Sequence, residues 1–86
     1  MVMSASTFLA QFRQIRAYLD SHPDASLELK ASFAGDAAAF KLTYTPDAFK
    51  QALSDNAPVD SDLEDRITST VILLNRDRAR RGSKEA

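Results

Sequence analysis

The sequence predicts a small single-domain α+β fold, 1–86, in the order helix, strand, strand, helix, helix, with an antiparallel β-hairpin packed against the helices. Three observations lead there. They are a period-two alternation on both sides of Gly35-Asp36, a compact helix start at Thr45-Pro46-Asp47, and a long apolar-periodic stretch after Ser61. At 86 residues the chain has one core, of a size at which stability is marginal, so self-association is expected.

Met1 to Ser6 read as a disordered lead-in. Phe8, Phe12, Ile15 and Leu19 then recur at helical spacing and fall on one stripe, with Ser4 or Ser6 as the cap. Arg13, Gln14, Ala17 and Asp20 take the other side. Pro23 pushes its predecessor out of helical geometry, so the first helix stops near His22.

From Leu27 the alternation places Leu27, Leu29, Ala31 and Phe33 on one side, and Glu28, Lys30 and Ser32 on the other. A two-residue Gly35-Asp36 loop of type II′ would fix the register. Phe33 would then face Ala38, Ala31 would face Phe40, Leu29 would face Leu42 and Leu27 would face Tyr44, giving one apolar face. Lys30 would lie opposite Lys41 on the polar face, a like-charge pair able to touch an anion.

Thr45 caps the next, short helix, with Pro46 in its first position and Asp47 at the positive end of its dipole. It ends near Asp55 or Asn56. Ser61 with Glu64 forms a capping box that opens the last and longest helix, which Gly82 stops after Arg81, leaving 83–86 as a disordered tail. Leu63, Ile67, Val71 and Leu74 form its docking stripe, and Ile72 points about 180° away. With Thr68, Asn75 and Ala79 beside it, Ile72 marks a second face. A homodimer through that face is expected, because burying an isoleucine is worth about 1.5 to 3 kcal/mol.

The 11 basic and 12 acidic residues leave a net charge of -1, without the uniform basic field of most nucleic-acid binders. Arg76, Arg78, Arg80, Arg81 and Lys84 still form a basic run opposite the acidic start of the same helix. That order complements the helix dipole, and a contact with nucleic acid is the competing explanation. No cysteine and a single histidine argue against disulfides and zinc, and the Asp55 to Asp65 segment lacks the glycine and ligand spacing of a calcium loop. No catalytic, cofactor or metal residues are assigned, and an enzyme is not expected. No apolar stretch reaches the length that spans a bilayer and no signal peptide is visible, so a cytoplasmic protein without a membrane role is expected. Alanine beside arginine and aspartate points to a bacterial or phage source.

Together these features predict a small non-enzymatic protein–protein interaction module, a dimeric regulator or inhibitor of another macromolecule, encoded by a phage or mobile element. The alternative is a nucleic-acid-binding regulator that uses Arg76, Arg78, Arg80 and Arg81, with Lys30 and Lys41.

Overall fold

The computed structural model describes the backbone of residues 2–85 and the side chains of residues 2–82. The readings on Met1, Ala86 and the Lys84 side chain lie outside the described residues. The chain forms four helices, α1 (Ala5–Ser21), α2 (Leu27–Thr43), α3 (Pro46–Ser54) and α4 (Ser61–Glu85). Among the described residues there is no strand or sheet, only one isolated bridge between Ser4 and Pro58. The fold is therefore all-α, and the α+β class with its β-hairpin is corrected.

The physical reason for the correction lies in the composition of 27–43. This segment contains leucines and five alanines but one β-branched residue, Thr43, so its intrinsic preference is helical and opposes a strand. Ser26 supplies the start, its side chain accepting a hydrogen bond from the Leu29 N–H at 3.2 Å, with Glu28 in the first turn. The alternation misled because α2 is apolar on both its inner and outer sides. Leu29, Phe33 and Phe40 face inward while Leu27, Ala31 and Leu42 face solvent, and no single period separates the two sets.

Gly35 has no positive φ and sits in mid-helix, where an added Cβ would meet nothing within 4 Å. Gly35→Ala is accordingly expected to stabilise the protein by about 1 kcal/mol in thermal melts of dilute solutions. In a type II′ turn the same change would destabilise, because alanine resists the positive φ that such a turn requires.

The other elements follow local signals. Ser4 caps α1, accepting from the Thr7 N–H, and His22 closes it with backbone bonds to Tyr18 and Leu19. Met3 and Ala5, read from the sequence as part of a disordered lead-in, are tied down. The Met3 carbonyl accepts from the Val59 N–H, and the Ala5 N–H donates to the Ala57 carbonyl, both at 2.9 Å. Thr45 caps α3 and Pro46 occupies its first turn, as the sequence indicates, and Asn56 beyond its end adopts φ 53°, a left-handed position that asparagine tolerates.

The start of α4 differs from the Ser61–Glu64 box. Asp60 accepts from the Asp62 N–H at 3.1 Å, while Glu64 turns away to accept the Met3 N–H at 2.5 Å. At its other end α4 runs through Gly82 to Glu85.

Helix α4 packs against α2 and α1, and α1 also touches α3 and α2. Leu63, Ile67, Thr70 and Leu74 are almost wholly buried along its inner stripe. All five phenylalanines join one aromatic cluster. Phe8 lies 5.7 Å from Phe40, 6.0 Å from Phe12 and 6.3 Å from Phe49, and Phe33 extends the cluster at 4.7 Å from Phe12.

Candidate functional site

Two buried carboxylates interrupt the apolar seam, and both lie where α4 meets its neighbours. Leu63, Ile67, Thr70, Leu74, Asp77 and Arg81 follow one another at alternating steps of four and three, so Asp77 takes a core position near the end of α4. It accepts hydrogen bonds from the Tyr18 hydroxyl, from Arg81 Nε at 3.1 Å, from Arg80 at 2.5 Å and from the Ser26 N–H at 3.3 Å. The Tyr18 hydroxyl bond, reinforced by Arg81 and Ser26, holds the Asp77 carboxyl below its ordinary range despite burial. Burial, and then the Asp77 carboxylate, push the Tyr18 phenol up. At neutral pH one is fully charged and the other fully protonated, so the pair is not poised for proton transfer.

The same network takes up Arg80 and Arg81 of the basic run. Arg81 donates to the Tyr18 hydroxyl at 2.8 Å and grips Asp24 with two bonds of 2.9 and 3.1 Å. Arg78 stands over the Tyr18 ring at 5.8 Å, and His22 stacks on that ring at 4.2 Å while its Nδ1 lies 3.0 Å from the Tyr18 carbonyl. Arg76 is exposed beside a recess of about 160 Å³ that it shares with Ser26, Glu28, Leu73, Asp77 and Arg80. Arg81 thus joins the ends of α1 and α4 to the connection ahead of α2, while Arg76, Arg78 and Arg80 stay exposed.

Asp36, on α2, is the second buried carboxylate, 3% exposed and hydrogen-bonded by the Thr70 hydroxyl of α4. Thr70 also lies 2.6 Å from the Ser32 hydroxyl and 3.0 Å from the Arg66 carbonyl. Burial pushes the Asp36 carboxyl above its ordinary range, against the opposing pull of Thr70. The Thr70 hydroxyl donates to Asp36, and the Ser32 hydroxyl stands within hydrogen-bond distance of Thr70.

Lys30 and Lys41 do not face each other across a hairpin; they lie three turns apart on α2, and the Lys30 ammonium donates to the Pro23 carbonyl. Thr68, Ile72, Asn75 and Ala79 do come together on one exposed face of α4, with Ile72 50% exposed. The larger exposed apolar face is elsewhere. Leu27, Ala31, Ala34, Gly35, Ala38 and Leu42 line the outer side of α2, where Leu27 is 81% and Leu42 89% exposed. Sequence reasoning missed this face because it assigned Leu27 and Leu42 to the hairpin interior; their spacing with Ala31 and Ala38 was the available signal.

Among the described residues no cluster of three or more histidine, cysteine, aspartate or glutamate side chains could hold a metal ion. No described helix is long and apolar enough to cross a membrane. Comparison with protein-family models, with curated proteins and with solved structures found no match.

Proposed function

We propose that this protein is a small, non-enzymatic interaction module of the cytoplasm that regulates or inhibits another macromolecule through surface complementarity. The observation that carries the reading is the outer face of α2, which leaves two leucines at 81% and 89% exposure. Covering each leucine is worth about 1.5 to 3 kcal/mol, so this face is the strongest unfilled contact on the molecule. Ile72 with Thr68, Asn75 and Ala79 adds a smaller one. Two further features support a binding role over a catalytic one: Asp77 and Asp36 both lie within the packing seam, and both are hydrogen-bonded inside the chain.

The test is capture of partners from the native host with the wild-type chain and with a Leu27→Glu/Leu42→Glu variant, whose helical content is verified by circular dichroism. A protein retained by the wild type and lost from the variant is expected. Retention of nucleic acid instead, weakening log-linearly with salt, would overturn the proposal in favour of the basic run. Equal retention by both chains would remove its supporting observation.

A further inference from the structure

A recess of about 490 Å³ opens between the first halves of α1 and α4. Ser4, which caps α1, is followed by Thr7 and Gln11 at steps of three and four, so one edge of that helix is polar where it flanks the buried Phe8 and Ile15. On α4, Glu64 and Thr68 stand one turn apart and flank the buried Leu63 and Ile67. The bond from the Met3 N–H to Glu64 ties the segment ahead of α1 to α4 at this point. Val2, 73% exposed, and Met3 supply an apolar wall.

The polar groups of the recess are short of donors. The Gln11 carboxamide oxygen is enclosed yet accepts no hydrogen bond from the chain. Such oxygens are rare, because folding takes away the bond that water would have made. A carboxamide turns about its last side-chain bond in a broad, shallow well, so a donor seated in the recess can draw this oxygen round to meet it. Glu64 commits one oxygen to Met3 and forms no ion pair among the described residues. Thr68 directs its hydroxyl proton to the Glu64 carbonyl at 2.8 Å, which leaves its oxygen lone pairs to the recess. No lysine, arginine or histidine lines the space. The N–H groups at the start of α1 that would draw an anion, those of Ala5 and Thr7, are already bonded to the Ala57 carbonyl and the Ser4 hydroxyl.

We propose that this recess binds an organic cation, a primary ammonium or guanidinium on a short apolar stem. The charged group sits between Glu64 and Gln11, and the stem lies along Val2 and Met3. An ammonium brings three donors and no acceptor, the complement of a carboxylate, a carboxamide oxygen and a hydroxyl oxygen. The volume falls within the range of about 300–1,000 Å³ that small-molecule sites occupy. The same charged group is carried by free alkyl amines and by the lysine or arginine side chains of a polypeptide. The site is separate from the outer face of α2 and does not depend on the role given to that face.

Titration of the full, isotope-labelled chain with n-butylammonium chloride at constant ionic strength, followed through amide chemical shifts, tests the proposal. Saturable shifts are expected at Thr7, Gln11, Glu64 and Thr68, including the Gln11 side-chain amide, and n-butanol or butyrate at equal concentration should not produce them. Glu64→Gln keeps an acceptor for the Met3 N–H but removes the charge, and should weaken binding about tenfold. Gln11→Met keeps the length without the carboxamide. It should weaken binding about fivefold while raising the melting temperature, since the enclosed oxygen is gone. A side chain that served only the fold would not separate these two readouts. Putrescine and Nα-acetyl-lysinamide then distinguish the sources: tighter binding of the first assigns a free amine, tighter binding of the second a lysine side chain, and both outcomes support the cation site. The absence of saturable shifts would overturn the proposal, as would equal shifts with butanol, or a Glu64→Gln or Gln11→Met variant that binds as tightly as the wild type.

Discussion

Replacing Phe8 by alanine is expected to cost about 3–5 kcal/mol of folding stability, measured by urea denaturation of the wild type and variant. Phe8 is 1% exposed, and its ring stands within 6.3 Å of the centroids of Phe12, Phe40 and Phe49, so its removal leaves a void walled by three rings from three helices. These rings cannot all relax into one space. At about 0.05–0.15 kcal/mol per residue, a domain of this length has roughly 4–13 kcal/mol in total, and the variant would stand near its unfolding limit. Phe33→Ala should cost less, because Phe33 is only partly buried at the margin of the cluster. A Phe8→Ala loss below about 1 kcal/mol would show that the aromatic cluster does not organise the core.

Substituting Asp36 by asparagine should stabilise the protein at neutral pH, and the gain should fade as the solution is acidified. The sign follows from burial. Because the folded state raises the Asp36 pKa, the folded chain binds this proton more readily than the unfolded chain. The stability that Asp36 contributes is thus fully present below the ordinary carboxylate pKa and is lost as pH rises through the raised value. Asparagine is already neutral, keeps the shape and still meets Thr70, so it avoids that loss. Thr70→Val has the opposite effect, costing about 1–3 kcal/mol by leaving Asp36 and Ser32 without their shared hydroxyl. Asp77 behaves inversely to Asp36. Its pKa is depressed, first by the Tyr18 hydroxyl, so its contribution is present above the ordinary value and is lost as pH falls through the lowered one. Denaturation curves at neutral and acidic pH check both signs. An Asp36→Asn gain that grows on acidification would contradict the assignment.

The two pH effects depend on residues whose burial the sequence shows only indirectly. Helix α1 was legible because Phe8, Phe12, Ile15 and Leu19 keep one period and Pro23 ends it, and α3 because Thr45-Pro46-Asp47 is a strong local start. Helix α2 was not, for a reason that also bears on function. A helix with apolar residues on two sides has no clear amphipathic period, and its first seven residues happen to alternate. The alanine content and the Ser26 cap outweigh that pattern energetically. Asp36 and Asp77 were hidden because a carboxylate is ordinarily read as a surface residue, and the four-three spacing of Thr70, Leu74, Asp77 and Arg81 was the unread signal for Asp77. The basic C-terminal run was visible, whereas its engagement with Tyr18 and Asp24 required residues more than fifty positions away.

The clasp between Met3–Ala5 and Ala57–Glu64 has a consequence for biosynthesis. Its two halves are separated by most of the polypeptide, so during translation α1 leaves the ribosome well before its anchors exist. Until α4 emerges, α1 lacks one of the helices it packs against, and the nascent chain carries an incompletely docked amphipathic helix. Completion of the fold thereby waits for the start of α4, and a bulky fusion placed ahead of Met3 would press on this joint.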